Sequence, residues 1–278
     1  IWKSLTAESL LTFDYTLAKV HKFNAVAGFT VENASWDNTS ILASNFPDDL
    51  TKDNDLSRAL DKATLASDKG NQRLASFLGR INYTLMDKYL FTASVRSDGS
   101  SKFTDKNKWA TFLSGAFAWR ASEEKFIKDL NIFSNLKFRL SYGETGNQGI
   151  GSYRTLPQLG VANYPFSGSI QSGPAMVSWR GPVDADIKWE TTAQYNLGVD
   201  FGWFNNRLTF TADYYCKKTR DLLQEVKIPS STGFSNKLTN SGNVTNKGLE
   251  LTLGVTPIDC HGWHWNINAN LAFNKNEI

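Results

Sequence analysis

Three histidines and two cysteines are the whole supply of the side chains most often used for metal or nucleophilic chemistry: His21, His261, His264, Cys216 and Cys260. Cys260, His261 and His264 fall in one short turn. A zinc site needs four N or S ligands, or three and an open position, and no further nitrogen or thiolate stands at such a spacing, so ordinary turn chemistry is the reading. The run GETGNQGIG (Gly143–Gly151) is glycine-rich but lacks the Lys-Ser/Thr of a phosphate loop, and no helical pattern follows it. Asp53-Asn54-Asp55 and Asp184-Ala185-Asp186 resemble calcium spacing without the Gly and distal Glu of an EF-hand loop. Calcium on these loops is unsupported, and no cofactor or enzymatic activity is expected.

A second set of ionisable residues is ordered by its spacing. Arg80, Arg96, Arg139, Glu190, Asp200, Asp213 and Glu250 each lie on the polar side of a segment that alternates apolar and polar residues. In Trp189–Phe201 one face reads Trp189, Thr191, Ala193, Tyr195, Leu197, Val199, Phe201 and the other Glu190, Thr192, Gln194, Asn196, Gly198, Asp200. Period two is the mark of a strand with unlike faces. At 13 residues this one exceeds the roughly 5–6 of an ordinary strand and suits the about 9–11 of a tilted membrane strand. Arg73–Leu85, Leu208–Cys216 and Trp263–Asn274 repeat the pattern, and Leu11–Leu17, Phe23–Val31, Tyr89–Ser97, Trp109–Trp119, Leu136–Tyr142 and Leu249–Val255 repeat it more weakly. About ten strands are expected.

Composition agrees. Of the 278 residues 13% are aromatic (9 Trp, 9 Tyr, 18 Phe), a mixture that packs well on pleated surfaces. The net charge of +3 is small and scattered, which argues against a nucleic-acid partner. No apolar run reaches the 18 or so residues of a membrane helix, and a mean hydropathy of −0.37 is that of a soluble protein. Barrel strands keep the average low because they alternate.

The connections alternate in length. Lys19–Lys22, Asp87–Lys88, Trp203–Asn206 and Ile258–Gly262 are short; 36–71, 98–108, 147–188 and 217–246 are long and polar. Outer-membrane barrels show this asymmetry, with periplasmic turns and extracellular loops. Residues 123–131 (EEKFIKDLN), after Ser122, predict a short capped helix on the turn side. Loop 36–71 holds seven aspartates against four basic residues, with Trp36 and Phe46; 147–188 holds Tyr153, Tyr164, Phe166 and Trp179. Such aromatics stack on sugar rings, pack on a protein partner, or fold the loop onto itself. Of them Trp36, Tyr153, Tyr164 and Trp179 are the candidates for ligand or partner contact, and Arg80, Arg96, Arg139, Glu190 and Asp200 the candidates on the lumen wall. The wall residues touch a plug, a solute or water. Cys216 and Cys260 belong to opposite ends of the strands, beyond the roughly 7 Å Cα limit of a disulfide, so two free thiols are expected.

From Asn82 onward the chain resembles a known family. NYTLMDKYLFTASVRSDGSSKF (Asn82–Phe103), KWATFLSGAFAWRASEEKF (Lys108–Phe126) and LKFRLSYGETGNQGIGSY (Leu136–Tyr153) are similar to the SusC/RagA branch of TonB-dependent outer-membrane transporters typical of Bacteroidetes. So are Ile187–Tyr215, IPSSTGF (Ile228–Phe234), NSGNVTNKGLELTL (Asn240–Leu253) and FNKNEI (Phe273–Ile278). The resemblance implies an all-β, antiparallel transmembrane barrel of about 22 strands around an N-terminal plug. It further implies import of large nutrients, glycan oligosaccharides or peptides, powered through a TonB-ExbB-ExbD complex and shared with a SusD-like lipoprotein. Residues 1–278 are then expected to be a partial barrel domain embedded in outer-membrane lipid, without plug, TonB box or final strands. The competing expectations are a self-contained small barrel, serving as adhesin, surface-binding protein or lipid-modifying enzyme, and a soluble β-sandwich.

Overall fold

The structure, a computed structural model, describes residues 1–50, 54–61, 64–156, 160–166, 168–175, 181–260 and 262–278. In chain order its strands are β1 (Trp2–Leu17), β2 (His21–Leu42), β3 (Thr64–Leu85), β4 (Tyr89–Ser100), β5 (Trp109–Arg120), β6 (Asn135–Asn147), β7 (Gly160–Phe166), β8 (Ser169–Ala175), β9 (Glu190–Trp203), β10 (Leu208–Arg220), β11 (Leu223–Lys227), β12 (Asn236–Asn240), β13 (Asn243–Cys260) and β14 (Trp263–Glu277). Ten form one sheet in the order β1-β2-β3-β4-β5-β6-β9-β10-β13-β14, and every pair in it is antiparallel. These are the ten strands expected from the alternation. Two hairpins, β7–β8 and β11–β12, sit inside the long loops and were not expected. The sheet is open: β1 bonds only to β2 and β14 only to β13.

Register keeps the two faces distinct. Phe13, Ala25, Ile81, Ala93 and Gly115 lie in one cross-strand row, and Phe138, Val199 and Ala212 in another. This face is apolar and bare: Leu11, Phe77, Leu140, Leu197 and Leu271 are each more than half exposed. A soluble sandwich would bury such a face, whereas a membrane barrel presents it to lipid. Aromatic pairs form two belts across it. One runs Phe23–Tyr83 (ring centroids 4.8 Å), Tyr83–Phe91 (6.0 Å), Phe91–Phe117 (4.9 Å) and Trp119–Phe138 (5.7 Å), near the short turns. The other includes Phe77–Trp109 (5.9 Å) and Tyr142–Tyr195 (4.8 Å). On β3 the belts are separated by about six residues, roughly 20 Å of strand, which fits an apolar band about 25 Å tall.

Strand lengths depart from expectation. β2 and β3 pair without a break from His21↔Leu85 to Leu42↔Thr64, so both ends of the expected loop 36–71, residues 36–42 and 64–71, are strand. Above the apolar band both faces are solvated, so residues such as Asn38, Thr39 and Ser40 show no alternation. Similarly β4 continues to Ser100 into the expected loop 98–108. The expected helix is shorter and starts later. Ala121–Glu123 form a 3-10 turn and α1 spans only Lys125–Lys128, because Glu124 holds an extended backbone (ψ 139°) between them.

The buried core lies at the long-loop end. Phe103, Phe112, Ile150, Ile187, Trp189 and Leu238 form it, with Leu74 packed alongside. Trp189 was expected on the outer face of its strand. It instead precedes β9 and stacks on Phe103 (5.1 Å) and edge-on to Phe112 (6.0 Å). Phe112 pairs in register with Arg96 and Leu74 with Ser100, so both lie on the polar side of the sheet. The loops therefore condense over the inner face, not the lipid face.

Candidate functional site

The inner face carries the charged residues singled out above, and the strand register decides which of them meet. Arg139 on β6 stands opposite Gly198 on β9, and Gly198 stands opposite Asp213 on β10. Arg139 donates through Nε and Nη2 to the two oxygens of Asp200, 2.9 Å each, and through Nη2 to Asp213 at 3.1 Å. Thr211 Oγ1 donates to Asp200 at 3.2 Å. A planar guanidinium matches a carboxylate two-pronged, which holds it in one orientation. The alternation places Arg139, Asp200 and Asp213 on one face, but not in one cluster. Gly198 makes the cluster possible, since a Cβ there would lie 2.3 Å from Asp213 Oδ1 and 2.8 Å from Arg139 Cζ. A glycine on the polar face of a strand was the available signal.

Above this cluster the wall is concave and polar. Arg139, Ser141, Asn196, Asp213, Lys217 and Glu250 are among the residues lining about 560 Å³ of space. Glu250 is the cross-strand neighbour of Asp213. Arg96 forms a separate group, donating to Asp98 (3.0 Å) and to the buried Ser76 (2.9 Å). Arg80 lies between Val26 and Ser94 in register, away from both groups. Glu190 reaches upward: it accepts from Asn147 Nδ2 (3.1 Å) and from the backbone N–H of Leu223 (3.1 Å), tying β9 to the loop that follows β10.

Three loops meet at the mouth. Val183 bridges Leu238, joining the segment before β9 to β12. Asp184 accepts from Thr239 and from Lys237 (3.0 Å), which hold its carboxyl below the usual carboxylate range. Arg154, itself buried, donates to Glu225 at 3.1 Å. Asn107 donates to the carbonyls of Asp186 and Ile187, and Trp189 Nε1 to that of Lys108 (3.2 Å). Asp184 and Asp186, read above for calcium-like spacing, thus engage Lys237 and Lys106; Asp53 lies outside the described residues.

The aromatic candidates separate. Trp36 is a strand residue of β2, stacked on Trp2 (5.8 Å) with its Nε1 donating to Asp68 (2.8 Å). Tyr153 stands at the mouth with a left-handed backbone (φ 62°), its hydroxyl accepting the Asn71 N–H at 3.0 Å. Tyr164 lies in β7, and Trp179 is outside the described residues. Cys216 is a free thiol; the Cys260 side chain and His261 fall outside the described residues.

A family model described as TonB dependent receptor-like, beta-barrel, matches residues 2–277. The chain belongs to this TonB-dependent receptor barrel family. A TonB-dependent receptor of Formosa agariphila is 36% identical over 277 residues, 99% of this chain and 28% of the relative. The TonB-dependent receptor SusC of Bacteroides thetaiotaomicron is 42% identical over 211 residues, 74% of this chain and 21% of SusC. The solved RagAB peptide transporter matches with a TM-score of 0.82 at 27% identity, covering 99% of this chain and 30% of that one. These likenesses put the chain on the SusC/RagA branch, and the barrel wall it forms is that of a bacterial outer-membrane protein. The chain spans less than a third of the length of each of these relatives. In a TonB-dependent receptor barrel the short turns face the periplasm and the long loops the exterior.

Proposed function

We propose that the chain is a wall segment of an importer that moves large polar nutrients, oligosaccharides or peptides, through the outer membrane. The observation that carries this reading is the wall's asymmetry. One face is apolar and exposed; the other is polar, concave around Arg139, and roofed at its mouth by three interlocked loops. A hydrated inner face with a shaped entrance suits gated passage of a polar solute. The kinship to a peptide transporter supports the peptide class, and the oligosaccharide class rests on the resemblance to the SusC/RagA family. On this reading TonB-ExbB-ExbD supplies the energy through parts of the receptor beyond this segment. A SusD-like lipoprotein meets the loop side of the wall, where the exposed Tyr153 and the half-buried Trp36 at the upper part of β2 are the contact candidates.

The test is uptake by cells expressing the full-length receptor with its neighbouring lipoprotein, against a receptor deletion strain. Labelled oligosaccharides and labelled peptides are supplied separately. Loss of uptake of one class on deletion, restored by the intact gene, supports the proposal and selects the class. Unchanged uptake of both classes overturns it.

A further inference from the structure

The longest periplasmic connection is the segment between β5 and β6, residues 121–134. The other turns of the wall, 18–20, 86–88, 204–207 and 261–262, need only two to four residues. Hairpin closure therefore does not explain its length.

Both ends of the segment are fastened to the lipid side of the wall. At one end the Glu124 carboxylate accepts from Tyr89 Oη (2.7 Å), Lys88 Nζ (2.8 Å) and Trp119 Nε1 (3.3 Å). Tyr89 and Trp119 are register partners on the outward face, in step with Phe91 and Phe117. At the other end Phe133 packs on Phe201 (6.2 Å) and Trp203 (6.0 Å), which continue the outward row of Tyr195 and Leu197. The segment thus folds outward beneath the apolar band and not across the lumen.

Between these fastenings three large apolar side chains are bare: Phe126 (62% exposed), Leu130 (54%) and Ile132 (55%). Helical hydrogen bonds run on past α1, from Asp129 N–H to Lys125 and from Leu130 N–H to Ile127. Phe126 and Leu130, four residues apart, accordingly share one side. Exposed apolar groups clustered like this mark a contact surface, and its continuity with the lipid-facing belt identifies the medium. We infer that Phe126, Leu130 and Ile132 form an in-plane anchor seated among phospholipid acyl chains of the periplasmic leaflet. Lys125, exposed beside the apolar side chains, reaches the headgroup level, as long basic side chains do at such boundaries, while Lys128 pairs with Glu123 of the same segment.

Nitroxide accessibility in the full-length receptor, reconstituted in phosphatidylethanolamine–phosphatidylglycerol vesicles, tests this. In a Cys216→Ser, Cys260→Ser background, single cysteines replace Phe126, Leu130 or Ile132 and carry the label. Leu140→Cys serves as the lipid control and Asp105→Cys as the aqueous one. The expected result is several-fold greater collision with oxygen than with a water-soluble nickel chelate, as at Leu140→Cys. Nickel collision equal to that at Asp105→Cys overturns the anchor, and low collision with both probes overturns it in favour of a protein cover. If one variant does not fold, the other two positions give the same reading. The outcome is independent of which solute the receptor imports.

Discussion

Gly198 stands directly across from Asp213, and a Cβ on it would fall 2.3 Å from the Asp213 carboxylate. The missing side chain is what lets Arg139 reach over β9 from β6 to β10. Gly198→Ala is expected to push Asp213 and Arg139 apart and to destabilise the wall by about 1–3 kcal/mol, the usual cost of overpacking. Urea unfolding of the full-length receptor in detergent measures this. An unchanged midpoint would show that the close approach imposes no constraint.

Removing the guanidinium leaves Asp200 and Asp213 as neighbouring carboxylates without their shared cation. Arg139 is about one-third exposed, which screens the effect. Arg139→Leu should cost about 1–2 kcal/mol. Arg139→Lys should fall between, because an ammonium cannot grip Asp200 with two parallel bonds. Unfolding midpoints at low and high salt check both points: the wild-type advantage should shrink as salt rises.

Lys88, Tyr89 and Trp119 hold the Glu124 carboxyl down to about 2, against an ordinary value of 4.5. A depressed carboxylate contributes stability that is fully present above the ordinary value and lost as pH falls through the lowered one. The 121–134 segment should therefore stay fastened at neutral pH and loosen between about pH 4.5 and 2. Hydrogen exchange at Ile127–Asp129, corrected for intrinsic rate, reads this. In Glu124→Gln the same amides should exchange faster at neutral pH and lose the acid dependence.

Trp189 joins Phe103, Phe112 and the Lys108 carbonyl, so its removal should unlock the roof while sparing the wall. Trp189→Ala is expected to cost roughly 3–5 kcal/mol locally. Limited proteolysis should then cut within 101–108 and 148–189, with the strands still protected. Trp189→Phe, which keeps a ring and loses only the Nε1 hydrogen bond, should be cut more slowly. Equal resistance of wild type and Trp189→Ala would refute the shared core.

The strands were legible wherever lipid and water make opposite demands on alternate residues, as from Arg73 to Leu85. Legibility failed where the surroundings become uniform. Above the membrane β2 and β3 meet water on both faces, so Ser40 and Ser67 carry no trace of being strand residues. The four loop strands are only five to seven residues long, too short for a period to stand out. Trp189 misled because its parity matched the lipid face, although the chain leaves the wall one residue before β9 begins. Of the polar site, spacing gave the shared face of Arg139, Asp200 and Asp213. Their meeting depended on the register between three strands, which a linear pattern does not encode. Glu124 looked like a first-turn helix acid, but Tyr89 and Trp119 of the neighbouring strands and Lys88 of the turn before β4 claim it and shorten the helix.

The hairpins β7–β8 and β11–β12 interrupt the chain but not the sheet: β6 still bonds to β9 and β10 to β13, residue for residue. Each insertion enters and leaves at the rim, where Ile150, Ile187 and Leu238 of the two loops share one core. Mutational drift in the roof is thereby decoupled from the hydrogen-bond ladder beneath it. Lineages can exchange whole entrance segments while inheriting the same membrane frame.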